Sequence, residues 1–373
     1  MLVTCGVKIG SYYQIDRQEV NNPHLELSSE DVHDLCLVQI DKLLHNYGRS
    51  LSDFPGLPIP SNCSHMLLSN SLLVEELQYD HVALGATFLS QFTKLNAQQK
   101  ITFHAIIDSI EQNRRQVFFI YGYGGTGKTF LWQVISVRLR SEKKVVICVA
   151  TYGIASLLMN GGRTAHSRFH IPIDVHSTST CHIEQNSELA ELLENTSLII
   201  WDEAPMAHKH CIESLNRTLR DILSRNDKSN ADIPFGGIIV VFGGDFRQTL
   251  PVIPKATRTE IVNSCLKRSY LWEHMTIIKL SENMRLKQLE STSKDATEIA
   301  EFCSWILKIG DGEGSSIYGD VHIVIPSDIM VETNQDPIID IVEEIYGQLS
   351  ENYNNAAYFA SKAILAPLHE IVT

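Results

Sequence analysis

Gly122-Tyr123-Gly124-Gly125-Thr126-Gly127-Lys128-Thr129 decides how this chain reads. The octet fits GxxxxGK[ST] in full. The apolar run over 116–121 predicts a buried strand before it, and 129–139 predicts a helix after it. In that setting the glycines let backbone N–H groups turn toward phosphate oxygens, and the helix N-terminus adds partial positive charge. Lys128 is then placed to reach the β- and γ-phosphates of a nucleotide, and Thr129 to ligate Mg²⁺.

Outward from the loop, apolar runs over 144–150, 197–201, 238–242 and 276–280 read as strands, and 154–159 and 212–223 as helices. Strands alternating with helices imply an α/β fold with a parallel sheet covered on both faces. Ligands of such sheets sit at the carboxyl ends of the strands. Ile199-Ile200-Trp201-Asp202-Glu203-Ala204-Pro205 is an apolar strand ending in two carboxylates. Asp202 suits the Mg²⁺ shell, and Glu203 suits the base that orients and polarises an attacking water. Val240 to Pro251 holds another strand end, Gly243-Gly244-Asp245-Phe246-Arg247-Gln248. An amide such as Gln248 senses a γ-phosphate through a switchable hydrogen bond.

The chain has 373 residues, 44% hydrophobic and 20% charged, ordinary for a globular protein and enough for two domains. No apolar run reaches the roughly 18 residues of a membrane helix, so no membrane partner is expected. The N-terminus, Met1-Leu2-Val3-Thr4-Cys5, carries no secretion signal pattern. The eight cysteines form no CxxC pair, and reduced thiols are expected. A net charge of −13 alone argues against a nucleic-acid partner, but its distribution leaves room for a local basic groove in the central segment. Residues 95–285 carry 22 basic and 18 acidic side chains, a balance of +4. The acidity lies outside, at −6 over residues 1–94 and −11 over 286–351.

The order Leu95-Asn96-Ala97-Gln98-Gln99, GYGGTGKT, Ala150-Thr151-Tyr152-Gly153-Ile154-Ala155-Ser156, Gly162-Arg163-Thr164-Ala165-His166-Ser167, WDEAP, GGDFRQTLPV and Leu280-Ser281-Glu282-Asn283-Met284-Arg285 resembles the PIF (petite integration frequency) ATP-dependent DNA helicases. The likeness is to eukaryotic members, including those fused to rolling-circle transposon proteins, and covers residues 95–285. It implies a RecA-like P-loop NTPase, a parallel sheet flanked by helices, with an incomplete second RecA-like domain. ATP and Mg²⁺ are the implied cofactors, single-stranded DNA and duplex junctions the implied partners. The family's polarity is 5′ to 3′, its processes repair, recombination and telomere maintenance, its location nuclear; a monomer is expected.

Carried over by position, the resemblance makes Gln99 the adenine reader, with Gln98 as the alternate. Gly122, Gly124, Gly125, Thr126, Gly127, Lys128 and Thr129 hold the phosphates. Lys128, Glu203, Gln248 and Arg285 are the expected catalytic residues, Gln248 and Arg285 both meeting the γ-phosphate. Thr151, Gly153, Arg163, Thr164, His166, Ser167 and Phe169 are the expected DNA contacts. Thr, Ser, His and Arg suit phosphates, and Phe169 suits base stacking. His166, His170, His176, Cys181, His182, His208, His210 and Cys211 are metal-ligand types, yet their spacing fits no zinc pattern, so solvated or capping histidines are expected.

The expected layout is a mostly helical flank over 1–94, with helices at 31–47 and 75–91, and a first motor domain over 95–275 with a small wedge at 171–186. A second domain starts over 276–373, with a helix at 296–309, a loop at 310–314, a strand at 321–325, a helix at 338–349 and a strand at 362–365. The family's later second-domain motifs do not occur, so a truncated chain is expected to bind nucleotide but to hydrolyse and unwind poorly. Two alternatives stay open: a P-loop nucleotidase or kinase acting on a small molecule, and an inactive nucleic-acid-binding remnant.

Overall fold

The computed structural model describes residues 70–290 and 296–364, apart from 314, 318–319 and 332–335, together with Leu37, Ile40, Leu44, 51–54 and 56–58. The helix expected over 31–47 otherwise lies outside the described residues. The chain divides into two compact units, residues 1–300 and 301–373.

The first unit opens with α1 (Ser71–Leu77), α2 (His81–Phe92) and α3 (Ala97–Glu111). The single helix expected over 75–91 is two. Asp80 accepts from the backbone N–H groups of Val82 and Ala83, capping α2 and restarting the helix. Then follow β1 (Val117–Tyr121), α4 (Lys128–Ser141), β2 (Val145–Ala150), α5 (Gly153–Ser156), β3 (Arg163–Thr164), α6 (Ala165–Phe169), α7 (Glu188–Glu194), β4 (Thr196–Asp202), α8 (Lys209–Leu223), β5 (Ile239–Gly244), α9 (Arg258–Ser264), β6 (Met275–Lys279) and α10 (Met284–Glu290).

The six strands form one parallel sheet in the order β3-β2-β4-β5-β1-β6. Successive residues of a strand face opposite layers, and both layers are apolar here. Val117 and Phe119 enter one core with Ile199, Trp201, Val240 and Phe242. Phe118 and Ile120 enter the other with Leu198, Ile200, Ile239 and Val241. Helix α8 covers the first layer through Ile212, Leu215 and Leu219, and α4 covers the second through Leu131, Trp132 and Ile135. This two-sided burial explains why the strands read as unbroken apolar runs.

The domain boundary expected at 275/276 falls inside this sheet. Strand β6 pairs with β1 from Val117↔Met275 to Tyr121↔Lys279, and the unit extends to residue 300. Residues 171–186 form neither helix nor strand. They lie against α8, with the Cys181 N–H donating to Thr218 Oγ1 at 2.9 Å and Arg217 Nε donating to Ser179 O at 2.8 Å.

Helix α1 reaches the sheet core through a buried ion cluster. Glu76 is 6% exposed, Arg140 3% and Arg168 7%. The Arg140 guanidinium donates to Glu76 Oε2 at 3.2 Å and Arg168 to Glu76 Oε1 at 3.3 Å. Arg140 also stacks on Tyr79, 4.6 Å from the ring centre. Removing the shared carboxylate strands two buried cations, which costs about 3–5 kcal/mol. Glu76→Ala is therefore expected to lower the unfolding free energy by that amount in urea. A change below about 1 kcal/mol would show that α1 is not part of the folded unit.

The second unit contains α11 (Ala296–Gly310, which begins in the first unit), the antiparallel pair β7 (Ser315–Ile317) and β8 (Asp320–His322), α12 (Pro337–Tyr346), α13 (Leu349–Asn352) and α14 (Ala356–Ala360). Tyr346, Tyr358 and Phe359 cluster with ring centres 5.3–6.3 Å apart. The strand expected over 321–325 stops at His322, and the helix expected over 338–349 ends at Tyr346, before Gly347. Residues 362–364 are irregular rather than a strand, and Leu365 lies outside the described residues. No helix among the described residues is long and apolar enough to cross a membrane.

Candidate nucleotide and single-strand site

The phosphate loop joins the end of β1 to α4. Gly127 sits at φ +78°, in the left-handed region, as the N-cap of α4. A Cβ there would collide with Gln99 Nε2. Gln99 is 1% exposed and closes a capping box with Asn96 at the start of α3. Its Oε1 accepts from the Asn96 N–H at 3.0 Å, and its Nε2 donates to Thr126 O at 3.0 Å. Gln99 is therefore a brace under the loop, with both ends of its amide engaged. Gln98 is engaged as well, donating to Ser281 Oγ at 2.8 Å and accepting from the Ser281 N–H at 2.9 Å. Each amide keeps a second N–H and a second lone pair beyond these bonds. A side chain at position 127 meets both a strained backbone, about 1–2 kcal/mol, and the Gln99 amide. Gly127→Ala is expected to weaken ATP binding about tenfold in a calorimetric titration; unchanged affinity would mean that the loop does not hold phosphates in this shape.

Lys128 is 7% exposed, and its ammonium donates to Gly122 O. Asp202 ends β4 at 4% exposure, its Oδ1 accepting from the Glu203 N–H at 3.1 Å. Gly243 of β5 makes room for it: a Cβ there would lie 2.6 Å from the Trp132 ring and 2.9 Å from Asp202 Oδ1. Burial pushes the Asp202 carboxyl above its ordinary value, and the Lys128 ammonium opposes that. Burial and the neighbouring Asp202 charge push the Glu203 carboxyl up as well. Glu203 Oε2 is buried without a hydrogen-bond partner among the described residues. The Thr129 hydroxyl and the Asp202 carboxylate are hard oxygen donors that fit Mg²⁺, whose bound charge would favour both ionised carboxylates.

The expected γ-phosphate groups stand on the same edge. The half-buried Gln248 donates its backbone N–H to Asp245 O at 3.2 Å. Arg247 donates its N–H to Asp245 Oδ1 at 3.0 Å, with its guanidinium 5.6 Å from the Tyr121 ring centre. Met284 donates its N–H to Gly125 O at 2.8 Å, tying residues 283–285 to the phosphate loop. Arg285, next in sequence, is exposed.

The expected DNA contacts divide. Strand β3 pairs with β2, Val149↔Arg163 and Ala150↔Thr164, which sets both residues beside Thr151 at the carboxyl end of β2. Gly153 and Ser167 are exposed, and Arg163 is half-buried 3.9 Å from Glu75. Thr164 caps α6, accepting from the Ser167 N–H at 3.3 Å. Burial lowers the His166 pKa and disfavours a cation there, and its Nε2 lies 3.7 Å from Cys211 Sγ. Phe169 does not stand where bases could stack. It is 0% exposed and packs in the core with its ring centre 6.2 Å from that of Trp201. The exposed aromatic of this edge is Tyr152, at 45%. Its signal in sequence was its place between Thr151 and Gly153, but helical periodicity cannot sort exposed from buried aromatics in segments of four or five residues.

The histidines are occupied locally. His208 caps α8 by accepting from the His210 N–H at 3.1 Å, and His210 Nδ1 lies 2.7 Å from Glu213 Oε2. Among the described residues no group of three or more His, Cys, Asp or Glu side chains could hold a metal ion.

Comparison with known proteins adds lineage to this geometry. The sequence pattern described as PIF1-like helicase matches residues 94–318. "ATP-dependent DNA helicase Pif1" of Psychrobacter sp. is 30% identical over 181 residues, 48% of this chain and 26% of that protein. "ATP-dependent DNA helicase RRM3" of Saccharomyces cerevisiae is 30% identical over 172 residues, 45% of this chain and 22% of that protein. The chain thus spans about a quarter of the length of these relatives. The crystal structure of Pif1 helicase from Candida albicans aligns at 25% identity over 63% of this chain and 45% of that one, with a TM-score of 0.46.

Proposed function

The chain belongs to the PIF1-like helicase family, the match covering 225 of its 373 residues, and on that premise we propose that it is the nucleotide-binding motor of an ATP-dependent DNA helicase. The observation that carries this is a shared edge. The phosphate loop, Asp202-Glu203 and Gln248 stand at the carboxyl ends of β1, β4 and β5, and Thr151 to Gly153 with Arg163-Thr164 stand at the ends of β2 and β3. One sheet therefore presents a phosphate cradle and a polar, partly basic strand surface side by side.

In this reading the loop N–H groups and Lys128 bind the phosphates, and Thr129 and Asp202 would hold Mg²⁺. The ion's chemical contribution is to neutralise charge on the phosphate oxygens. Glu203 orients the attacking water and takes its proton, using a carboxylate whose Oε2 is buried with no hydrogen-bond partner among the described residues. Gln248 senses the γ-phosphate, and Arg285 stabilises the charge that develops on it. The DNA surface engages single-stranded phosphates through Thr164, Ser167 and Arg163, with Tyr152 as the stacking ring. Polarity of 5′ to 3′, duplex junctions as substrate, roles in repair, recombination and telomere maintenance, a monomeric state and a nuclear location belong to the same proposal by family likeness.

Tailed duplexes test the substrate class. In place of the poor unwinding expected from sequence, this reading predicts ATP-dependent displacement of a strand from a 5′-tailed duplex and not from a 3′-tailed one. ATP turnover that ignores single-stranded DNA and rises with a small-molecule phosphate acceptor would overturn it in favour of a P-loop nucleotidase or kinase.

A further inference from the structure

Thr151 was expected to bind DNA, yet its hydroxyl points inward. Thr151 Oγ1 donates to the main-chain oxygen of Glu203 at 2.7 Å. Thr151 Oγ1 in turn accepts from Trp201 Nε1 at 3.1 Å. The Thr151 N–H donates to Asp202 O at 3.2 Å. Three hydrogen bonds thus join the first residue after β2 to three successive residues at the end of β4. Trp201 is fully buried, so it forms a fixed anchor for the hydroxyl.

Glu203 needs such a hold. It adopts φ +52°, ψ +37°, the left-handed region that a residue with a Cβ keeps only when its surroundings over-determine it. Its main-chain oxygen accepts from Met206 N–H at 3.2 Å as well as from Thr151. The direction of the Cα–Cβ bond, and with it the carboxylate, follows from this backbone setting. On the other side of Thr151 the chain surfaces at once: Tyr152 and Gly153 are exposed.

We infer that Thr151 is a positioning residue for Glu203: its hydroxyl fixes the left-handed turn that aims the carboxylate and couples that turn to the single-strand surface at Tyr152-Gly153. This rests on the reading of Glu203 as the base. A strand that shifts residues 151–153 shifts the Glu203 main chain with them, because no residue intervenes between the two. The hydroxyl therefore contributes to turnover rather than to affinity for DNA.

The test compares wild type, Thr151→Val and Thr151→Ser. Valine keeps the shape and removes the hydroxyl; serine keeps the hydroxyl. Urea unfolding establishes that each variant is folded at the assay temperature. ATP turnover is measured at saturating ATP with and without an oligo-dT strand, and affinity for the same strand by fluorescence anisotropy. Thr151→Val is expected to lower kcat with the strand by about 10–100-fold, the effect of misplacing a catalytic group by an ångström or less, with strand affinity unchanged within threefold. Thr151→Ser is expected to restore most of the turnover. Loss of strand affinity with kcat intact at saturation would overturn the inference and make Thr151 a phosphate contact. Unchanged kcat and affinity would overturn it too. A wild type that ignores the strand would refute both the helicase reading and the coupling to the surface at Tyr152-Gly153, but not the positioning of Glu203. Basal turnover then decides: a 10–100-fold drop in Thr151→Val supports the positioning role, and an unchanged basal rate overturns it.

Discussion

Arg285→Ala is expected to abolish ATP turnover, by about 10³–10⁵-fold, while ATP still binds. That is the loss seen when a γ-phosphate arginine is removed from a phosphoryl-transfer site. The structural basis is the tether of its neighbours. Met284 donates to Gly125 O at 2.8 Å, and Asn283 Oδ1 accepts the Arg285 N–H at 3.1 Å. The side chain itself makes no hydrogen bond or ion pair with the described residues, so nothing holds it away from a nucleotide. Nucleotide affinity should change much less than turnover, because the guanidinium meets charge that develops during transfer. Arg285→Lys should fail to restore the rate, since an ammonium lacks the planar fork. Single-turnover phosphate release together with titration of a fluorescent ATP analogue separates the two effects. Equal losses in binding and turnover would reassign Arg285 to ground-state binding.

Glu203→Gln is the second large effect. The amide keeps the size of the side chain but cannot take a proton, and removing a general base costs about 10²–10⁴-fold. Nucleotide affinity is expected to hold or rise, because burial and Asp202 both disfavour the carboxylate's charge in the resting site. The variant should therefore accumulate bound, uncleaved ATP, measured by quench and chromatography. Residual turnover above a tenth of wild type would move the base elsewhere, and Asp245, 4% exposed at the end of β5, would be the next residue to test.

Much of the first unit was legible in sequence because each layer leaves its own mark. Strands buried on both faces read as unbroken apolar runs, and β1, β2, β4 and β5 were found within a residue or two; the edge strand β6, largely exposed, was found from its Ile277-Ile278 pair. The phosphate loop and Asp202-Glu203 were legible because their chemistry requires fixed residue types at strand ends. What escaped has physical reasons. Strand β3 is two residues long, Arg163 and Thr164, too short to carry periodicity. Helix α3 runs apolar positions among polar ones, and the role of Gln99 in the capping box at its start and in bracing Thr126 O has no mark in the sequence. Glu76, Arg140 and Arg168 are far apart in sequence, and a buried ion cluster has no local pattern. Phe169 was assigned to stacking because its neighbours suit DNA, and the core claimed it. Thr151 shows the same lesson in reverse. Its residue type suits a phosphate, but a hydroxyl takes the partners that the fold brings to it, here Glu203 and Trp201.

ATP turnover of the purified chain with and without oligo-dT, run beside Lys128→Ala, tests most directly the claim that one sheet edge joins an ATP site to a DNA surface. The account predicts turnover that rises with the strand, vanishes in Lys128→Ala, and falls together with strand affinity as salt increases. Turnover that persists in Lys128→Ala, or that is the same with and without the strand, would contradict it.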